Sequence, residues 1–302
     1  MDKEFYNEAS ASKLGWEPEW FIPGHDLFDK KLTKAVREFQ RAHNLSADGL
    51  CGPSTYRRVN TERDSMSNIE KYRLQSSSEC IYYMGQPMPI NWDRVVTHLD
   101  DESLGLTGGR TSYSGKKRNI KFFVNHWDVC LSSASCVNVL NKRNISVHFC
   151  IDNDGTIHQL MDLNDSAWHA GGGGWNRSSV GVEIANAYYP KYQSWYVRNG
   201  FGERSMVTDG TCHGRSMDPF MDFYPIQKEA LKALWMACHE GLGIPLEAPK
   251  TKWAVDPDCA GNKFKGFCSH FHLTRRKIDC AGLDIEEMLK ELKEKPLYCE
   301  SK

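Results

Sequence analysis

The stretch NIKFFVNHW (residues 119–127) decides the fold, because it reads as a short apolar strand that ends in a histidine. Ile120, Phe122, Val124 and His126 share one face, since successive side chains of a strand point to opposite sides. Open α/β sheets bind their ligands at the ends of strands. The sequence therefore predicts a strand that ends at His126 and makes this histidine a candidate ligand.

The segments downstream of this strand predict an α/β domain around it. The run SVHFCIDNDGTIHQLMD (residues 146–162) reads as a β-hairpin with Asp154-Gly155 at its turn, and SVGVEIAN (residues 179–186) reads as a short apolar strand. The spacing of apolar residues predicts helices over residues 134–144, 226–244 and 283–293.

The N-terminal part reads as a separate helical unit. Leu32, Ala35, Val36 and Phe39 follow the spacing of an amphipathic helix, and Ser54 begins a second helix after two turn signals. Residues 61–90 are polar and irregular, as linkers are, with room for one short helix. We therefore predict three regions: an N-terminal domain at 1–62, a linker at 63–90 and a larger domain at 91–302.

Charge and composition exclude some classes of function. The chain has 302 residues, and 38 Lys+Arg against 39 Asp+Glu give a net charge of −1, which argues against binding nucleic acid or an anionic membrane through bulk charge. No apolar run approaches the roughly 18–20 residues of a membrane span, and the first 20 residues lack the apolar core of a signal peptide. The 11 cysteines, with no CxxC pair, predict reduced thiols. These features predict a cytoplasmic globular protein.

The run HFHLTRRKID (residues 270–279) concentrates possible metal ligands. It holds His270, His272 and Asp279, and Cys280 follows directly. A catalytic zinc site needs three protein ligands and one open position, so two imidazoles with a carboxylate or a thiolate would suffice. The alternative is a basic loop with incidental histidines. The HExxH motif of helix-borne zinc proteases is absent, because His239-Glu240 is followed by Gly-Leu-Gly.

The order of these pieces resembles the type-2 family of zinc-dependent N-acetylmuramoyl-L-alanine amidases. The resemblance covers about residues 115–295 and rests on the strand ending in His126, the hairpin, AWHAG (residues 167–171), SVGVEIAN and the closing H-x-H-L-T-x-R-K-I-D motif. The family includes phage endolysins, bacterial amidases and the related peptidoglycan-recognition proteins. It implies a mixed β-sheet flanked by helices.

The resemblance also implies a Zn²⁺ site. His126 and His270 take the positions of the first two ligands, and Asp279, two residues after Lys277, takes the third. Some members carry a cysteine as the third ligand, so the neighbouring Cys280 stays an alternative. His272 stays a second alternative, since it falls where many members have an acid close to the ligands.

Glu183 matches the catalytic glutamate of the family. Val180, Val182 and Ile184 alternate toward one face, so Glu183 points to the other. Burying a carboxylate in an apolar strand costs free energy, so such a residue has a polar partner or a functional role. It would act as general base, and Lys277 would stabilise the oxyanion; a structural ion pair between the two is the alternative.

The substrate groove is predicted from AWHAG and from a long insertion. Trp168 and His169 match the segment that lines the cleft in the family, whereas His148 and His158 read as structural or rim residues. The segment 187–225 is longer than most loops and rich in aromatic residues, which suggests a lid or an extra wall of the groove.

Cys130 and Cys136 stand where peptidoglycan-recognition proteins carry a disulfide of similar spacing. A disulfide between them is one hypothesis, and it requires an oxidising space. Free thiols are the alternative.

The N-terminal unit resembles the peptidoglycan-binding domain of type 1 over about residues 10–60. The match consists of a T-x-A-V-x-x-F-Q helix and a D-G-x-x-G-P-x-T turn, formed by Thr33, Ala35, Val36, Phe39, Gln40, Asp48, Gly49, Gly52, Pro53 and Thr55. A three-helix wall-binding domain is what this resemblance implies.

Together the resemblances imply a hydrolase of the bond between N-acetylmuramic acid and L-alanine, acting as a phage endolysin. Its partner would be bacterial peptidoglycan, with no nucleic acid and no membrane insertion, and the protein would be a monomer. It would stay in the host cytoplasm until lysis. A non-catalytic peptidoglycan-recognition protein and a zinc peptidase acting on the stem peptide are the alternatives.

Overall fold

The computed structural model describes residues 2–67, 77–101, 103–107 and 117–294. Its centre is a six-stranded mixed sheet in the order β12-β4-β7-β5-β6-β3. All neighbours in this sheet run parallel except β5 and β6, which form the predicted antiparallel hairpin. The strands are β1 (Cys80–Tyr83), β2 (Gln86–Pro89), β3 (Val95–Val96), β4 (Phe122–Trp127), β5 (Phe149–Ile151), β6 (Ile157–Gln159), β7 (Ser179–Ile184), β8 (Met206–Val207), β9 (Thr211–Cys212), β10 (Arg215–Ser216), β11 (Phe220–Met221) and β12 (Gly266–Ser269).

Helices cover both faces of the sheet, as predicted. They are α1 (Lys3–Leu14), α2 (Lys30–Ala42), α3 (Pro53–Ser65), α4 (Ser133–Arg143), α5 (Gly173–Ser178), α6 (Gln193–Arg198), α7 (Pro225–Leu242), α8 (Pro257–Ala260), α9 (His270–Leu273) and α10 (Ile285–Glu294), with short 3₁₀ turns at Pro18–Trp20 and Pro190–Tyr192. Among the described residues, no helix has the length and apolar character that a membrane crossing requires.

The two faces of β7 have different surroundings. Val180, Val182 and Ile184 pack with the apolar side of α7 in the main core. Glu183 points to the opposite face, as the alternation predicts. This face lies on the side of α4 and the N-terminal helices.

The N-terminal domain consists of α1, α2 and α3, which confirms the predicted three-helix domain. Its D-G turn is held by Gln40, whose side chain donates to the Asp48 carboxylate at 2.8 Å and accepts the Gly49 N–H at 2.8 Å. Gly49 has φ 79°, a conformation that glycine adopts without strain. The turn therefore depends on Gln40, Asp48 and Gly49, which belong to the family motif.

The N-terminal helices share one apolar cluster with α4 of the larger domain. Buried Leu14, Leu32 and Tyr56 lie in the same cluster as Val137 and Leu140 of α4. Polar contacts accompany it: the Thr61 hydroxyl donates to the Val129 carbonyl at 2.9 Å, and Ser135 donates to Asp64. The helical domain is thus packed onto the larger one.

The segment predicted as linker contains more structure than a linker. β1 and β2 form an antiparallel ribbon, and Ile81 and Met88 are buried in the main core. Part of the predicted linker, residues 68–76, lies outside the described residues. The prediction of an irregular segment was therefore wrong for residues 80–89.

The long insertion is folded. It carries α6 and the short strands β8 to β11, and its aromatic residues form a cluster of their own that includes Tyr192, Trp195, Tyr196 and Tyr224. The aromatic content noted in the sequence therefore builds a small core.

The cysteines of the described part are free thiols. Cys130 and Cys136 are both buried and unbonded, so the disulfide hypothesis is not borne out by the structure. The contact with Cys136, together with burial, raises the pKa of the Cys130 thiol well above its ordinary value. The contact with Cys130 lowers the pKa of the Cys136 thiol, but the contact with Cys150 and burial raise it well above that value. They act as small apolar residues in the interdomain cluster.

Candidate active site

The site lies at the carboxyl ends of three adjacent parallel strands. β4 carries His126 near its end, β7 carries Glu183 beside it, and His270 begins α9 directly after β12. Asp279 comes from the loop after α9. Strand order therefore brings together His126 and His270, which are 144 positions apart in the chain.

His126, His270 and Asp279 form a compact buried cluster. Nδ1 of His126 lies 2.9 Å from Oδ2 of Asp279, and Nδ1 of His270 lies 3.0 Å from the same oxygen. One donor atom from each of the three residues lies within 4.8 Å of the other two. Two atoms bound to a tetrahedral zinc ion at its usual bond lengths are ~3.3 Å apart, so the spacing fits such an ion.

The charge states of this cluster also suit a cation. Burial lowers the pKa of His126 to about 4, so its imidazole is neutral at physiological pH. Burial alone would raise the pKa of Asp279, but the charge of His270 and the hydrogen bonds from both histidines hold it well below the usual range. Neutral imidazole and ionised carboxylate are the forms that bind metals.

His169 contacts the ring nitrogen of His126 that faces away from Asp279, and this contact orients the ring. Nδ1 of His169 lies 2.9 Å from Nε2 of His126, and its Nε2 lies 3.1 Å from the Ser179 hydroxyl. Gly181 makes room for this ring, because a Cβ at that position would lie 2.5 Å from Nδ1 of His169. A polar partner that fixes the ring of a ligating histidine is usual in metal sites.

Glu183 faces the cluster with one oxygen unsatisfied. Its Oε2 is buried and has no hydrogen-bond partner. Burial raises the pKa of Glu183 to about 8, while the positive charge of Arg57 lowers it and the charge of Asp128 raises it further. A strongly shifted carboxyl beside a metal-type cluster is typical of a general base or acid.

The cleft above the cluster has a volume of about 210 Å³ and is continuous with a wider groove of about 700 Å³ through shared lining residues. Lys277 lines both, and Trp168 and His169 line the groove. Trp168 is 42% exposed, so part of its ring is accessible from this groove. The structure thus brings six of the seven predicted site residues to the cleft and the seventh, Trp168, to the adjoining groove.

The two alternative ligands lie elsewhere. Nδ1 of His272 accepts the Ser269 N–H at 2.9 Å and so caps α9, and Cys280 is buried in the main apolar core. His148 accepts the Gly181 N–H at 3.1 Å within the sheet, which is a structural role. The described metal-type cluster contains none of the three.

Other residues of the cleft were missed in the sequence. Arg57 of α3 and Arg143 of α4 line it too, while Tyr188 and Tyr189 line it from the insertion for which the sequence suggested an extra wall of the groove. The insertion also braces the site, because Nε2 of His213 lies 2.8 Å from the Lys277 carbonyl oxygen. No local motif indicates these roles, since they depend on how distant segments pack.

The family profile described as N-acetylmuramoyl-L-alanine amidase matches residues 116–271, about half of the chain, including His126, Glu183 and His270. The chain belongs to the N-acetylmuramoyl-L-alanine amidase family. A second profile, described as a putative peptidoglycan binding domain, matches residues 12–59. Both resemblances seen in the sequence are therefore confirmed.

Several solved structures are similar to this amidase-family chain. AmpDh3 from Pseudomonas aeruginosa is 22% identical over 43% of this chain and 48% of its own, with a TM-score of 0.29. AmiD from E. coli, solved with anhydro-N-acetylmuramic acid-L-Ala-D-γ-Glu-L-Lys, is 21% identical over 45% and 49%, with a TM-score of 0.30. The endolysin LysCS from Clostridium intestinale is 16% identical over 66% and 95%, with a TM-score of 0.38.

The chain spans about half the length of the first two of these structures. The comparison with curated proteins finds no match.

Proposed function

We propose that this chain is a zinc-dependent amidase that hydrolyses the bond between the lactyl group of N-acetylmuramic acid and L-alanine of the stem peptide. One observation carries the proposal: a compact His-His-Asp cluster lies beside a buried, unsatisfied glutamate, and both histidines and this glutamate belong to the segment 116–271 that matches the amidase family. A protein that only binds muropeptide has no need of this combination.

His126, His270 and Asp279 would hold the Zn²⁺. Their donor atoms are close enough together, and the neutral His126 imidazole and the ionised Asp279 carboxylate are in the forms that bind metals. Bound there, Zn²⁺ would polarise the scissile carbonyl and favour the ionised form of Glu183.

Glu183 acts as the proton carrier of the reaction. Its carboxylate takes a proton from the attacking water, whose oxygen forms the new bond to the lactyl carbonyl carbon. The same proton then passes to the amide nitrogen, so that the C–N bond breaks and L-alanine leaves with a free amine. Lys277, which lines the same cleft, stabilises the negative charge on the carbonyl oxygen.

The remaining side chains position the reaction. His169 holds the ring of His126 through the contact at 2.9 Å. Trp168 offers its exposed ring to the sugar or the peptide along the wider groove. These assignments follow the family's residues onto matching positions of this chain.

The division into a wall-binding domain at 1–62, a linker at 63–90 and a catalytic domain at 91–302 is part of this proposal, with the ribbon at 80–89 packed against the catalytic core. Peptidoglycan is the proposed partner, because a peptidoglycan-binding profile and an amidase profile occur in one chain. An endolysin role and a monomeric state remain predictions.

Digestion of purified sacculi tests the proposal. The protein, with and without a chelator, is incubated with sacculi, and new amino termini and new reducing sugar ends are both measured. We expect new L-alanine amino termini that disappear with chelator. New reducing ends, or new amino termini of any other residue, would contradict an amidase, and the second result would indicate a stem-peptide peptidase.

A further inference from the structure

Two guanidinium groups from different domains meet in the catalytic cleft. Arg57 comes from α3 of the N-terminal domain, and Arg143 ends α4 of the catalytic domain. Both side chains are half-buried and line the same cleft of about 210 Å³ as His126 and Glu183. The active-site cleft is therefore built by both domains.

Neither guanidinium has an acidic partner in the described part of the chain. The Nε of Arg57 is buried without a hydrogen-bond partner, and no ion pair joins either arginine to a carboxylate there. Arg58, the next residue, differs: it pairs with Glu62 and lies over the Tyr189 ring. A buried guanidinium N–H without a partner costs free energy, which argues that this pair serves a ligand.

The two acidic groups of the cleft act on Arg57 through space but form no ion pair with either arginine among the described residues. The Asp279 carboxylate is already hydrogen-bonded to His126 and His270 through its Oδ2 atom. Among the described residues Glu183 forms no hydrogen bond or ion pair with either arginine, and its buried Oε2 has no partner. The two positive charges also face each other, and burial together with the charge of Arg57 lowers the pKa of Arg143 to about 10. An anion between them would relieve this repulsion.

The position of Arg57 is fixed by the contacts that α3 makes with other segments of the chain. Tyr56, its neighbour, is buried in the cluster shared with α4, and Thr61 one turn further donates to the Val129 carbonyl just after β4. Lys191 of the insertion pairs with Glu62 of the same helix. Three contacts from three segments hold α3 over the cleft.

We propose that Arg57 and Arg143 together bind a carboxylate of the stem peptide, so that the wall-binding domain forms part of the substrate site. This inference rests on the proposed function. A D-glutamyl residue linked through its γ-carboxyl keeps its α-carboxylate free, and it follows the L-alanine at the scissile bond. That carboxylate lies within about two residue lengths, ~7 Å, of the bond to be cut. Guanidinium groups bind carboxylates in bidentate fashion.

Two matched substrates test the inference. One is N-acetylmuramoyl-L-Ala-D-γ-Glu-L-Lys, and the other carries an amide in place of the glutamyl α-carboxylate. We expect the zinc-loaded protein to have a KM for the acid that is about 10- to 100-fold lower than for the amide, the effect of a hydrogen bond to a charged group. Arg57→Gln and Arg143→Gln should each remove most of this preference, and Arg57→Lys should restore part of it.

Arg41→Gln is the control, because Arg41 is an exposed residue of α2 in the same domain. It should keep the full preference. Thermal unfolding of each variant checks that the interface is intact. Equal KM values for the two substrates in the unaltered protein would overturn the inference. So would an Arg57→Gln variant that loses activity equally on both substrates, since Arg57 would then act on Glu183 and not on the ligand.

Binding of the same two compounds to the Glu183→Gln variant separates this inference from the proposed function. If the unaltered protein cleaves neither compound but the acid still binds more tightly through Arg57 and Arg143, the amidase proposal fails and the carboxylate site stands. If cleavage occurs at the lactyl amide without any preference for the acid, the amidase proposal stands and the carboxylate site fails.

Discussion

His126 and Glu183 are paired residues of two adjacent parallel strands, β4 and β7. Paired residues of parallel strands point to the same face, so the candidate ligand and the candidate base leave the sheet side by side. The opposite face of β7 is filled by Val180, Val182 and Ile184, which anchor the strand against α7. The apolar core thereby fixes the distance between the two functional side chains.

Glu183→Gln should keep the metal and lose turnover. The amide has nearly the shape of the carboxylate but cannot carry the proton, so kcat should fall by about 10²–10⁴-fold. Zinc content, measured by metal analysis after dialysis, should match that of the unaltered protein. A variant that loses zinc would show that Glu183 is a ligand and not a base.

Asp279→Asn should weaken zinc binding by at least about 10- to 100-fold, because it removes the only carboxylate of the cluster. His272→Gln is the matched control, since His272 caps α9 and contributes nothing to the cluster. Competition with a chromophoric chelator measures both. Equal zinc affinities of the two variants would contradict the ligand assignment.

Glu183 should make the metal-free protein less stable as the pH rises. Its pKa is raised from 4.5 to about 8 in the folded state, so the folded state binds more protons between these values. The destabilisation is absent below pH 4.5 and complete above pH 8, with a ceiling of about 5 kcal/mol. Denaturant unfolding in chelator should show that Glu183→Gln stabilises the protein more at pH 9 than at pH 5. An equal effect at both pH values would refute the burial of this carboxyl.

Gly181→Ala should disturb the site through His169. The added Cβ would lie 2.5 Å from the ring, so the ring must move and His126 loses its partner. Zinc affinity should fall by about 10-fold or more. Gly105→Ala, at a position with open space around it, should change nothing. Unchanged zinc affinity in Gly181→Ala would mean that His169 does not orient His126.

His213→Ala tests whether the insertion supports Lys277. The variant loses the hydrogen bond to the Lys277 carbonyl, at a cost of about 1 kcal/mol in stability, and kcat should fall more than stability explains. His239→Ala is the control, because His239 makes a similar bond to the Ile244 carbonyl away from the cleft. Equal kcat values for the two variants would show that the insertion does not support Lys277.

Local patterns were enough to predict the sheet and the central residues of the site. The strand ending at His126 and the alternation around Glu183 depend only on neighbours in sequence, and the order of motifs supplied His270 and Asp279. The ribbon at 80–89 was missed because Pro87 and Pro89 argue against a strand; both are tolerated in an isolated two-stranded ribbon.

The contribution of the N-terminal domain to the cleft could not be predicted. Arg57 and Arg58 are adjacent and chemically identical, yet one enters the cleft and the other pairs with Glu62. The difference arises from how α3 packs on α4, which no pattern within α3 encodes. The same holds for His213 of the insertion.

The position of the broken bond is the most direct test of the central claim. The zinc-loaded protein is incubated with N-acetylmuramoyl-L-Ala-D-γ-Glu-L-Lys in water enriched in ¹⁸O, and the products are analysed by mass spectrometry. We predict that the label enters the lactyl carboxylate of N-acetylmuramic acid and that the tripeptide is released unlabelled. Label in a peptide fragment, or no cleavage by the zinc-loaded protein, would contradict the account.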